Sequence, residues 1–236
     1  MSGTTGVIVV GAGGGRRMGG VEKAFLPLLD RPLIAYSVEA FERAPEIDVI
    51  CLVVSAASLD RMRSLVRDSR WRKVGPVVAG GDSRQESVRA GLAALESCEW
   101  LLVHDAARPL VAGALIARGV RAARLHGAAI PVVPVRDTIK RVRSQGDAQI
   151  VVETVDRTQL WAAQTPQVFA SHVLREAFEA AGAHAARFTD DASLVEAMGR
   201  RVAAVEGEQD NVKLTYPSDL PLVEEILRRR GAASPT

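Results

Sequence analysis

Aromatic side chains are scarce in this chain: Phe, Trp and Tyr make up 4% of 236 residues. A core must therefore be packed from Ala, Val, Leu and Ile. Cysteine is scarcer still. Cys51 and Cys98 stand far apart, each among apolar neighbours and without a CxxC pair, which reads as two buried thiols of a cytoplasmic protein. His104, His126, His172 and His184 lack metal-ligand spacing, which argues against a zinc or iron site. No apolar run is long enough to span a bilayer, and no basic stretch with an apolar signal core follows Met1. Neither sign of charge predominates. The 30 Lys and Arg against 28 Asp and Glu leave +2, which argues against general affinity for nucleic acid or membrane surfaces.

What is present is an alternation. Continuous apolar runs at 7–10, 48–55, 74–80, 100–105, 128–135 and 201–207 read as strands covered on both faces. Between them lie amphipathic segments. Ile34, Val38 and Phe41 share one helical face, and Val88, Leu92 and Leu95 another, with Ser83 and Glu86 placed as a capping box. Ser218 opens a last helix carrying Leu222, Val223, Ile226 and Leu227, which ends in three arginines, the sign its dipole favours. This pattern predicts an α/β fold, a Rossmann-like, mostly parallel sheet with helices on both faces and its ligand outside the carboxyl ends of the strands. One segment breaks the rhythm. TIKRV and QIVVETV flank a turn-like SQGD within 136–157, which predicts a β-hairpin. The preceding strand holds Pro131 and Pro134, residues that belong at an edge. A protruding hairpin arm leaving that edge is expected to pack on something else, such as a second copy of the chain.

The first strand runs into GAGGGRRMGG at 11–20. A dinucleotide fingerprint needs a third glycine where Arg16 stands, and an acidic residue where the second strand ends at Ser55; a Walker A loop needs Gly-Lys-Ser/Thr, which is absent. What remains is a turn of bare backbone N–H groups followed by Arg16, Arg17 and Lys23, a set suited to a polyphosphate whose charge grows during reaction. In VHDAARP at 103–109, Asp105 falls at a carboxyl strand end on the same edge. A carboxylate there can hold Mg²⁺, which needs only one or two protein oxygens besides phosphates. His104 has no partner histidine and reads as structural. In AGGDSRQESV at 79–88, glycines can bring backbone close to a planar base, with Ser87 and the Asp82 region supplying polar atoms.

GGGRRM with Lys23 after it, GGD running to Ser87, HDAARP, VRDTIK, TVDR, QTPQ, TDDAS and DNVKLT occur in this order. Together they resemble the 2-C-methyl-D-erythritol 4-phosphate cytidylyltransferases of non-mevalonate isoprenoid synthesis, over roughly residues 6 to 227. The resemblance implies the nucleotide-diphospho-sugar transferase type of fold in a single domain, 1–236, with 136–157 as a dimerisation arm. It implies cytidylyl transfer from CTP to methylerythritol phosphate with Mg²⁺ as cofactor, in a cytoplasmic homodimer. Arg17, Lys23 and Lys213 would be catalytic. Gly11, Ala12, Gly13, Gly81, Asp82, Ser87, Asp105 and Ala106 would bind the nucleotide, Asp105 also the metal. Arg108, Thr138, Arg157, Thr165 and Thr189 would meet the polyol phosphate, Arg157 reaching the neighbouring subunit's site. Departures from the family pattern are Val10, Gly11 and Ala12 in place of Pro-Ala-Ala, and Ala24 in place of Gln. Rival readings are a cytidylyltransferase for another polyol phosphate such as ribitol 5-phosphate, a non-catalytic nucleotide-binding module, and a dinucleotide oxidoreductase, which Arg16 and Ser55 disfavour.

Overall fold

Residues 3–13 and 22–232 are described by the computed structural model. Four parallel strands form half of the main sheet: β1 (Thr5–Val10) lies between β4 (Val49–Val54) and β6 (Trp100–Asp105), and β5 (Val74–Ala79) pairs with β4 at one edge. Beyond β6 come the antiparallel β11 (Gln167–Ala170), then β7 (Ala128–Pro134), with β10 (Trp161–Ala163) and β12 (Ala203–Glu206) paired to β7. A two-stranded ribbon of β2 (Pro27–Leu28) and β3 (Arg31–Pro32) lies apart.

Burial on both sheet faces explains the continuous apolar runs. Side chains of a strand alternate between faces, so Val7, Val9, Ile50, Leu52, Val54 and Leu102 feed one core, and Ile8, Cys51, Val53, Leu101 and Val103 the other. Helices α1 (Leu33–Arg43), α2 (Leu59–Asp68) and α4 (Gly113–His126) cover the first; α3 (Arg84–Ala94), α5 (Ser171–Ala181) and α6 (Asp191–Ala197) cover the second. The capping box is present, with Ser83 Oγ accepting from Glu86 N–H and the Glu86 carboxylate from Ser83 N–H. Helix α7 (Leu220–Ala232) follows a short turn at Pro217–Asp219. It presses Val223 onto Leu28, Leu33, Leu110 and Leu214, while Leu222 faces solvent.

The hairpin consists of β8 (Ile139–Gln145) and β9 (Ala148–Val155), turned at Gly146 with φ +58° and paired only with each other. Its point of departure differs from expectation, because β7 is not an edge strand. Pro131 is tolerated because it falls between two ladders: pairing with β11 involves Ala128 and Ala129, and pairing with β10 spans Val132 to Pro134. Its carbonyl still accepts from Gln164 N–H at 2.8 Å. Strands β10 and β11, which flank β7, were not foreseen. Their neighbouring residues carry buried Gln164, Thr165 and Gln167 and a cis Thr165–Pro166 bond, polar features that do not read as sheet.

Helix α3 lies close to β1 at one position. A Cβ on Gly91 would sit 2.4 Å from Ile8 Cγ2, and Ile8 is fully buried at the middle of the sheet. Gly91→Ala would gain about 1 kcal/mol of helix propensity but overpack the core by about 1–3 kcal/mol. A net loss of stability is expected, read as a lower urea midpoint at unchanged slope; a raised midpoint would refute the close approach.

Candidate functional site

The carboxyl ends of β1, β4, β5 and β6 open into a cleft of about 760 Å³. Gly11, Ala12 and Gly13 form one wall, Gly81, Asp82 and Ser87 another; Asp105 and Ala106 form the floor, with Lys23 and Lys213 at the sides. Ten of the residues singled out from sequence thus converge on one cavity. The loop 14–21, with Arg16 and Arg17, lies outside the described residues. Gly80, the first glycine of the GGD turn, closes the cleft tightly: a Cβ there would lie 2.5 Å from Ser87 Oγ and 2.6 Å from Ala12 Cβ.

Lys23 is held where the glycine loop returns to the fold. Its Nζ donates to the carbonyls of Leu214 and Thr215 at 3.1 and 3.3 Å. The preceding Glu22 accepts from Ser58 Oγ and from Ser55 N–H, tying the loop exit to the turn after β4. The segment bearing Lys213 is fixed from below. Leu214 N–H donates to Ala107 carbonyl at 2.8 Å, and buried Asn211 donates to the carbonyl of Thr165 at 2.9 Å.

At the centre, Asp105 faces two cations. Arg84 Nε donates to Oδ1 at 3.0 Å and Lys213 Nζ to Oδ2 at 2.5 Å. Burial alone would raise this carboxyl's pKa, but Arg84 and Lys213 overcome it and hold it well below the usual carboxylate range. Arg84 is also 2.8 Å from Asp191, which is fully buried. Burial disfavours the guanidinium charge, yet Asp191 and Asp105 raise its pKa.

Behind Asp105 the polar groups fit only one proton arrangement. His104 is fully buried, and burial lowers its pKa to about 4, so at neutral pH it is uncharged. Its Nε2 lies 3.1 Å from the Arg108 carbonyl, which can only accept, so that nitrogen carries the proton. Nδ1 is then an acceptor for the Thr165 hydroxyl at 3.0 Å, and that hydroxyl in turn accepts from Asp105 N–H at 3.1 Å. The structural reading of His104 holds.

The expected acceptor residues do not line this cleft. Thr165 is buried with its proton committed to His104. Arg108 donates to the carbonyls of Asn211 and Ala163. Thr138 and Thr189 are exposed, and Arg157 is exposed and donates to the Arg136 carbonyl. Sequence reasoning missed Arg84, Asp191, Gln167 and Glu22. The only signal for Arg84 was its place after the Ser83 cap, and for Asp191 its place as the second acid of TDDAS. Gln167 Oε1 accepts from the N–H groups of Asp191 and Ala192, and its Nε2 donates to Asp190, the α6 cap.

A glycine-walled cleft at the carboxyl ends of a mostly parallel sheet, with Arg84 and Lys213 on one ionised carboxylate and Lys23 lining the same cleft, defines a nucleotidyltransferase-type site. The chain belongs to the 2-C-methyl-D-erythritol 4-phosphate cytidylyltransferase family, whose model matches residues 5–229, and it is a CTP-dependent cytidylyltransferase by that membership. It is 45% identical to the enzyme of that name from Geobacillus kaustophilus, over 95% of this chain and 97% of that one. It is 42% identical to that of Dehalococcoides mccartyi, over 96% of each. The crystal structure of the Thermus thermophilus cytidylyltransferase matches with a TM-score of 0.76 at 34% identity, over 94% of this chain and 98% of that one. The 4-diphosphocytidyl-2C-methyl-D-erythritol synthase of Anaerococcus prevotii matches at 0.82 and 27%, over 96% and 97%. Among the described residues no helix is long and apolar enough to cross a membrane, and no group of three or more His, Cys, Asp or Glu could hold a metal ion.

The buried neutral His104 gives stability a defined pH dependence. Its folded pKa lies below the unfolded value of 6.5, so the unfolded chain takes up the extra proton first. Stability is therefore complete above pH 6.5 and is lost as pH falls towards about 4. That interval corresponds to about 3 kcal/mol. Asp105, held low, titrates beneath this window. Denaturation curves at pH 7 and pH 4.5 are expected to differ more for the wild type than for His104→Gln; equal differences would exclude a buried neutral ring.

Proposed function

We propose that the cleft transfers the cytidylyl group of CTP to 2-C-methyl-D-erythritol 4-phosphate, giving 4-diphosphocytidyl-2-C-methyl-D-erythritol and pyrophosphate. The observation that carries this reading is the convergence of Lys23, Lys213 and Asp105 in one cleft lined by Gly11, Ala12, Gly13, Gly81, Asp82 and Ser87. A phosphate oxygen of the acceptor attacks the α-phosphorus, pyrophosphate leaves from the opposite side, and no covalent enzyme intermediate is needed. The protein's work is positioning and charge stabilisation. Glycine backbone and Ser87 hold the cytidine. Lys23 exchanges the carbonyls of Leu214 and Thr215 for phosphate oxygens, and Lys213 exchanges Asp105 for the α-phosphate. Arg17, by its place in the family motif, adds a third cation.

The donor set fits Mg²⁺ bound mainly by the nucleotide. Asp105 is ionised and borders the cleft, and departure of Lys213 exposes its Oδ2 as one protein ligand, leaving phosphates and water for the rest. When bound, the metal supplies charge neutralisation of the phosphates.

We assign the acceptor phosphate to Arg108, Thr138, Arg157 and Thr189, with the hairpin clasping a second copy of the chain; the expected role of Thr165 is withdrawn, because its hydroxyl proton is committed to buried His104. Two observations support that assignment. Val142, Ile150, Val151 and Val152 expose apolar surface on the hairpin, and Thr138 and Arg157 border the hairpin rather than their own chain's cleft. A cytoplasmic setting fits the two unpaired buried thiols.

Pyrophosphate release with each of the four NTPs, with and without methylerythritol phosphate, tests the reaction. Turnover is expected only with CTP and that acceptor, and Lys213→Ala is expected to lower kcat by about 10²–10³. Turnover with ribitol 5-phosphate instead would overturn the acceptor, and CTP binding without turnover would favour the idle module.

A further inference from the structure

Asp191 is a fully buried carboxylate for which the proposed reaction has no use. Burial pushes its pKa up, against the pull of Arg84, and burying an ion pair is weak grounds for stability because desolvation offsets the attraction. Its position is nonetheless strongly fixed. The N–H groups of Asp191 and Ala192 converge on Gln167 Oε1 at 3.1 and 3.0 Å, and Asp190 Oδ1 accepts from Ser193 N–H at 3.0 Å. This arrangement ties Asp191 to β11 and aims it at Arg84 Nη2, 2.8 Å away.

Arg84 therefore spans two acids, with Nε on Asp105 and Nη2 on Asp191. It also lines the nucleotide cleft. The two cations on Asp105 differ in how firmly they are held. The Arg84 side chain is 22% exposed and has the second anchor; the Lys213 side chain is 45% exposed and forms its ion pair with Asp105. An incoming triphosphate attracts both. If Arg84 left for the phosphates, Asp105 would retain Lys213, since a buried carboxylate stripped of both cations is too costly.

We infer that Asp191 is a positioning residue: it tethers Arg84 to Asp105, so that Lys213 is the cation released to the nucleotide. Arg84 then compensates Asp105 throughout the exchange. This rests on the reading of Lys213 given above. An ordinary structural ion pair between α3 and α6 would stabilise the fold without choosing which cation moves, and kinetics distinguish the two.

The experiment is steady-state kinetics and calorimetric CTP binding for Asp191→Asn, a neutral residue of the same shape, below its measured melting temperature. Expected is a kcat lower by about tenfold or more, with KM for CTP not raised and CTP bound as tightly as by the wild type or more tightly. Arg84→Lys, a point charge in place of a fork that spans both acids, is expected to show the same split and serves if Asp191→Asn does not fold. Wild-type kcat in the folded variants, or a raised KM with unchanged kcat, would overturn the tether. Should the wild type itself fail to turn over CTP with methylerythritol phosphate, the proposed function falls, and binding still decides: weaker CTP binding by Asp191→Asn would overturn the inference.

Discussion

The carboxylate of Asp105 is the charge on which the rest of the site depends. It stands at the end of a buried strand, where an uncompensated ion would cost several kcal/mol. Compensation comes from elements far apart in sequence: Arg84 from the start of α3 and Lys213 from the segment before α7. Thr165, beside the cis peptide, receives the backbone N–H of the same residue. The two cations hold the carboxylate ionised and Thr165 holds its backbone, so one acid makes several loops interdependent.

The loops are set by buried amides rather than by apolar packing. Gln164 donates to the Glu208 carbonyl and accepts from Glu208 N–H, while Gln167 caps α6. These two residues of the QTPQ motif touch neither Asp105 nor Lys213 directly. They bring the segments carrying Asp191 and Asn211 against the sheet, and Asn211 leads to Lys213. Such groups are bonded because a buried amide without partners is expensive.

The sheet was legible in the sequence where burial is simple. Strands covered on both faces show as continuous apolar runs, and β1, β4, β6 and β7 fall where those runs lie. Buried glutamines and a proline hid β10 and β11, because such residues normally mark turns. The convergence of these residues on one cleft was legible for a different reason: glycines, Asp105 and the lysines stand near strand ends, where chemistry is expected. Arg84 and Asp191 were not, since Arg and Asp at helix starts usually face water, and only the tertiary structure shows half-buried Arg84 set against buried Asp191. The departures at Gly11 and Ala24 turn out to be one feature. A Cβ on Gly11 would lie 3.2 Å from Ala24 Cβ, so a small residue at one position matches a small residue at the other.

Two lysines in one cleft repel each other, and each is held by groups that phosphate can replace. Lys213 rests on a carboxylate, and Lys23 on two backbone carbonyls of the adjacent Leu214 and Thr215. Neither arrangement requires an ammonium to be stripped of acceptors when a nucleotide enters, only to exchange them. The cost of bringing positive charge to the reacting phosphorus is thereby met in folding rather than during the reaction, which is the sense in which the site is preorganised. Of the two cations on Asp105, the one with a second anchor, Arg84 on Asp191, is the more firmly held, and Lys213 is the looser.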